Sequence, residues 1–135
     1  MYQVGEVMYP VNRPLHAEMS LPEAVDIILS SGFIGLPVVD DDNHVVGFLS
    51  EHDCMPLLLN GSYHSDIRTL VRDIMHAPPL LVTPHQSIVD LAMQMRDQKP
   101  KVYPVVVQGR LVGLVTRSHV MRALNDAFRA SKTVA

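Results

Sequence analysis

The chain is written twice. VGEVM, beginning at Val4, returns as VRDIM at Val71. The spacing (71 − 4 = 67) holds without a gap, so that Ser20 falls on Ser87, Pro37 on Pro104 and Val38-Val39 on Val105-Val106. One residue is lost in the acidic loop DDDNH, which becomes QGR, and the spacing is then 66 (113 − 47), carrying Gly47 onto Gly113, Ser50 onto Thr116 and Asp53 onto His119. A tandem duplication limits the fold to two copies of one supersecondary unit. At 135 residues and 47% hydrophobic, the chain has material for one compact domain, or for two small ones sharing a core.

Each copy follows the same local rules. SLPEAVDIILSS opens on Ser20 with Glu23 three residues on, a capping box, and Leu21, Ala24, Val25 and Ile28 share one helical face. The second copy answers with Ser87 and Asp90, then Ile88, Leu91, Ala92 and Met95. Valine-rich runs follow around a turn, LPVVD with VVGFL and YPVVV with LVGLV, which predict two hairpins. The runs are nearly continuous in apolar residues, as strands covered on both faces require, so the fold class is α/β with small sheets and helices. A second helix begins after each hairpin, at Ser50 and at Thr116, the later one with an apolar face of Val120, Met121, Leu124, Ala127 and Phe128. Pro56 is expected to kink or shorten the earlier one. The repeats are expected at 1–60 and 71–128, joined by a polar surface linker at 61–70 and followed by a frayed tail at 129–135.

Composition removes several functions. Eleven Lys and Arg against 14 Asp and Glu give a net charge of -3, without the basic footprint that a phosphate backbone demands, so nucleic acid is not expected as a partner. No leader and no bilayer-length apolar run is visible, so a cytoplasmic protein without a membrane span is expected. The single cysteine, Cys54, cannot close an intramolecular disulfide, and no nearby base marks it as a nucleophile. The seven histidines show no HExxH spacing, and His52 and Cys54 do not share a helical face, so no metal site is expected. No acid, base and nucleophile set can be assembled, and an enzyme is not expected.

GFLSEHD, residues 47–53, carries the most chemistry. A strand running into a hydroxyl-capped helix presents unpaired N–H groups to an anion, and a carboxylate three residues on can accept both hydroxyls of a ribose diol. Ser50 and Asp53 equally fit a capping box that serves only the helix.

The ordered, duplicated set of VGEVM and VRDIM, LPVVD and YPVVV, and GFLSEHD resembles the cystathionine-β-synthase (CBS) domain in its tandem pair, over almost the whole chain from Val4 to about Phe128. The resemblance implies two repeats packed with pseudo-twofold symmetry, with composite clefts for adenine nucleotides or S-adenosylmethionine and no catalysis by the module itself. One cleft would use Leu49, Ser50 and Asp53 with Ala77, Pro78, Pro100 and Lys101, and Arg117 directed at phosphate. The other would combine Val115, Thr116 and His119 with Pro10, Val11, Phe33 and Ile34; imidazole lacks the two acceptor oxygens of a carboxylate, so this cleft is expected to be degenerate. No cofactor is required beyond the regulatory ligand. Met93, Met95 and Met121 lie at helical spacing on helices that in this family bury against a second module, implying a homodimer. The implied function is ligand sensing for a regulated partner protein; the alternative is an interaction dimer with vestigial clefts.

Overall fold

The computed structural model describes residues 2–64, 68–97 and 100–134. Its elements are α1 (Val4–Val7), β1 (Leu15–His16), α2 (Leu21–Ser31), β2 (Gly35–Val39), β3 (Val45–Ser50), α3 (Glu51–His64), α4 (Val71–Ile74), α5 (Ile88–Asp97), β4 (Val102–Val107), β5 (Arg110–Thr116) and α6 (Arg117–Val134). They form two compact units, Asn12–Pro79 and Met1–Val11 with Leu80–Ala135. The units are cut differently from the repeats, because each opening segment belongs to the unit that the other repeat builds.

In the unit of residues 12–79, β2 and β3 form the expected antiparallel hairpin, from Gly35↔Ser50 to Val39↔Val45 with a bulge after Val38. β1 adds a short parallel edge, Leu15 opposite Val38. Ser20 Oγ accepts the Glu23 N–H at 3.4 Å to start α2. That helix buries Leu21, Ala24, Ile27 and Ile28, so Ile27 joins the expected stripe while Val25 is half-buried. α4 closes the unit: the Leu70 N–H donates to Asp73 Oδ2 at 2.9 Å, and Val71 is fully buried.

The other unit repeats this plan. β4 and β5 pair from Val102↔Thr116 to Val107↔Arg110, with a bulge after Val105, the counterpart of Val38. The two-residue turn between them, Gln108-Gly109, has φ of 53° and 80°, both left-handed, as a tight hairpin requires. A parallel bridge, Val82 to Val105, answers Leu15 to Val38. The core gathers Val4, Ile88, Leu91, Tyr103, Val115 and Val120.

Several expectations change. α3 runs from Glu51 to His64 with Pro56 inside it, so the proline does not shorten it, and residues 61–64 of the expected linker are helical. Proline removes one N–H, while each later residue still adds its own hydrogen bond to a helix already nucleated. The tail is not frayed as expected either: α6 continues to Val134 through helix-favouring Arg129, Ala130 and Lys132. Residues 65–67 of the linker and Ala135 of the tail lie outside the described residues. The apolar face of α6 is also narrower than expected, since Val120 is buried and Leu124 half-buried, whereas Met121 and Phe128 are 69% and 61% exposed.

The motif glycines have a steric reason. A Cβ on Gly47 would lie 2.6 Å from Met75 Sδ and 3.0 Å from the His76 carbonyl oxygen; on Gly113 it would lie 2.9 Å from Met8 Sδ and 3.0 Å from the Tyr9 oxygen. In both units the opening segment crosses the strand where no side chain fits. Gly47→Ala is therefore expected to destabilise the protein by about 1–3 kcal/mol, the range for overpacking a filled site, read from urea unfolding.

Candidate functional site

The crossing is a backbone pairing. The Phe48 N–H donates to the His76 carbonyl at 3.0 Å, and the His76 N–H returns to the Phe48 carbonyl at 2.8 Å. Two residues beyond Phe48, β3 ends at Ser50 and the chain turns directly into α3, with the Glu51 N–H taken by the Ile34 carbonyl at 2.8 Å. Strand end, helix start and opening segment thus meet around one side chain, Asp53.

Asp53 is held on both oxygens. Its Oδ2 accepts the Ser50 N–H at 3.0 Å and the Ser50 hydroxyl at 2.8 Å, while Ser50 Oγ accepts the Asp53 N–H at 3.2 Å. This is a complete capping box. Its Oδ1 accepts from His76 Nε2 at 2.7 Å, so that nitrogen carries the proton. Only 10% of the Asp53 side chain is exposed, against 71% for His76. The first turn of α3 also carries Glu51, so two carboxylates stand where a simple anion site would want none. Hydroxyl donors, which a carboxylate accepts, suit the place better than phosphate.

The spacings of 67 and 66 make Tyr9 the counterpart of His76 (76 − 9) and His119 that of Asp53 (119 − 53). The Tyr9 N–H and carbonyl pair with Leu114 at 2.8 Å each way, as His76 pairs with Phe48. The side chains then take another course: the Tyr9 and His119 rings stack at 4.1 Å between centroids, 13° apart. His119 keeps the capping role, with Nδ1 accepting the Thr116 N–H at 3.1 Å and Thr116 Oγ1 accepting the His119 N–H at 3.1 Å. Nδ1 must be unprotonated to do so. Burial, and then the Arg122 charge, hold this imidazole below the usual histidine range and favour the same neutral form.

Among the residues expected for the first cleft, Leu49, Ser50, Asp53, Ala77 and Pro78 all lie in the unit of residues 12–79; Leu49 is fully buried, and Ala77 and Pro78 are exposed beyond the crossing. Pro100, Lys101 and Arg117, all exposed, belong to the other unit. Of the second set, Pro10, Val11, Val115, Thr116 and His119 share that other unit, while Phe33 and Ile34 do not. A cavity of about 440 Å³ there is lined by Tyr2, Glu6, Tyr9, His119, Arg122 and Asp126 with apolar neighbours, and only His119 of the expected set reaches it. His76 and Tyr9 were not foreseen as site residues. Their position on the repeat register was a signal, but the contact depends on strand pairing remote in sequence.

Other groups settle into structural roles. Cys54 is buried where the other unit has Val120, and burial, then Asp53, then Glu51, push its thiol up to about 11, so it stays protonated and unreactive at neutral pH. Ligating atoms of Asp40, Asp42 and His44 do come within 4.8 Å of one another, a cluster the sequence spacing had not suggested. Asp40 Oδ1 there accepts the backbone N–H groups of Asp42 and His44, both at 2.9 Å, which is turn chemistry.

The neutral His119 makes stability depend on pH. The folded imidazole binds a proton less readily than the unfolded one, so its contribution is full above the ordinary value of 6.5 and is lost as pH falls through it toward the lower folded value. Urea unfolding at pH 8 and pH 5.5 is expected to show a larger loss on acidification for wild type than for His119→Asn, which keeps an acceptor that does not titrate.

Known proteins share this architecture. CBSX2, a chloroplastic CBS domain-containing protein of Arabidopsis thaliana, is 28% identical over 151 residues, covering 90% of this chain and 63% of its own length. An uncharacterized protein of Methanocaldococcus jannaschii, MJ1225, is 27% identical over 132 residues, covering 96% of this chain. The chain spans 46% of that protein, so it matches only part of these relatives. The crystal structure of CBSX2 in complex with AMP superposes with a TM-score of 0.81 at 29% identity, over 94% of this chain and 98% of that one. The CBS domain pair of protein MJ0100, in complex with 5′-methylthioadenosine and S-adenosyl-L-methionine, shares the fold with a TM-score of 0.77 at 21% identity, over 94% of this chain and 98% of that one. A family model for the CBS domain matches residues 4–60 and 71–126, and with the duplicated strand-to-helix motif and its crossing segment this makes the chain a member of the CBS domain family, carrying two tandem repeats.

Proposed function

We propose that this CBS pair is a regulatory, non-catalytic module that binds an adenosine-containing ligand (AMP, ADP, ATP or S-adenosylmethionine) at Asp53 and reports its occupancy to a partner protein. The observation that carries the reading is the state of Asp53. It is a carboxylate fixed through Oδ2 by Ser50, and among the described residues its other oxygen accepts from the exposed side chain of His76. A ribose diol can take that place, with Ser50, Leu49, Ala77 and Pro78 as neighbouring members of the site. The AMP complex of CBSX2 supports the ligand class. The His119 side is proposed to be the degenerate twin, because its ring is engaged as both cap and stack. Exposed Met93, Met121 and Phe128, at 55%, 69% and 61%, are proposed to be buried in a homodimer. Among the described residues no helix is long and apolar enough to cross a membrane, and the cytoplasm is the proposed location.

The complete capping box favours a second reading, in which Asp53 serves only α3 and the chain is an interaction dimer. Asp53→Asn separates the two. The amide keeps one acceptor for the cap, at a cost of about 1 kcal/mol of stability or less. A ligand site is expected to lose about 1.5–3 kcal/mol of AMP affinity, as for a hydrogen bond to a charged group, read by calorimetric titration. Unchanged AMP affinity, or no binding of any of the four ligands to nucleotide-free protein, would favour the interaction dimer.

A further inference from the structure

Asp53 offers few free acceptor positions. A carboxylate has roughly four lone-pair sites. The two on Oδ2 are used by the N–H and hydroxyl of Ser50, and releasing them would give up the cap of α3. One on Oδ1 is used by His76 Nε2 at 2.7 Å. A vicinal diol, which brings two donors, therefore meets one open position while His76 stays and two once it leaves. Leaving is easy. The His76 backbone is pinned to Phe48 through both its N–H and its carbonyl, at 2.8 and 3.0 Å, so the 71% exposed imidazole can rotate away without moving the chain.

We infer that His76 is a specificity-determining residue that competes with the ribose diol for Asp53 Oδ1, setting both the affinity of the site and its discrimination between ribonucleosides and deoxyribonucleosides. This rests on the reading of Asp53 as a ribose acceptor. The imidazole acts as an internal stand-in for the diol: it satisfies the carboxylate in the empty site and is displaced on binding. Its strength suits the task, because a single hydrogen bond from a largely solvated imidazole has a modest net worth. The twin unit supplies the contrast. Tyr9 holds the position of His76, and because His119 stands at the position of Asp53, its ring stacks on an imidazole instead.

The test is calorimetric titration of the full chain with adenosine and with 2′-deoxyadenosine, which lacks the diol, for wild type, His76→Ala and His76→Gln. His76→Ala is expected to bind adenosine about two- to tenfold more tightly, the range of the net worth of one hydrogen bond, with 2′-deoxyadenosine unchanged. His76→Gln, which keeps an N–H donor within reach, is expected to return toward wild type. Adenosine binding that is unchanged or weaker in His76→Ala would overturn the competition while leaving the ribose site standing. Equal tightening for both nucleosides would do the same, since it would mean a loosened surface. If neither wild type nor His76→Ala binds either nucleoside, the reading of Asp53 as a ribose acceptor falls, and the competition with it.

Discussion

The pairing of an opening segment with the end of a hairpin strand, two hydrogen bonds at Phe48 with His76 and two at Leu114 with Tyr9, is the constraint on which the rest depends. It forces a glycine one residue earlier, at Gly47 and Gly113, because a side chain there would meet the crossing backbone. It fixes which residue of the opener stands over the start of the following helix. It also makes the compact units differ from the repeats, since each unit takes in the opening of the other copy, residues 1–11 in one and 71–79 in the other. Backbone hydrogen bonds in a close-packed crossing leave little freedom of register, so the side chains delivered there are set by sequence position alone.

From that common frame the two copies diverge through single residues. Aspartate and histidine both cap their helices, because each presents an acceptor three residues into the turn. They differ in what remains. The carboxylate has a second oxygen to give away, and a histidine from the opener takes it; the imidazole has a ring face, and a tyrosine takes that. The stability role and the proposed binding role of Asp53 are therefore carried by different oxygens of one group. A capping box here is compatible with a ligand site and does not compete with it.

Much of this was legible in the sequence because it is local. Ser20 and Ser87 mark helix starts, the valine runs mark hairpins, and a duplicated register makes each reading support the other. The two-residue β1 was not legible, since so short an edge has no periodicity. Nor was the persistence of helix through Pro56 and beyond Arg129, where propagation outweighs one missing bond or a polar composition. That Leu49, Ser50 and Asp53 share a compact unit with Ala77 and Pro78, while Pro100, Lys101 and Arg117 fall in the other, is announced by no pattern within the residues. His76 was missed because its partner lies 23 positions away, across a pairing that no local signal encodes.

The most direct measurement is a crystal structure of the protein with adenosine bound. Asp53 as ribose acceptor requires one ribose hydroxyl within hydrogen-bonding distance of its Oδ1 and the other within reach of the same carboxylate, the His76 side chain turned away, Ser50 still on Oδ2, and the Tyr9–His119 stack intact. A nucleoside seated instead against His119 with that stack broken, while His76 remains on Asp53, would contradict the assignment.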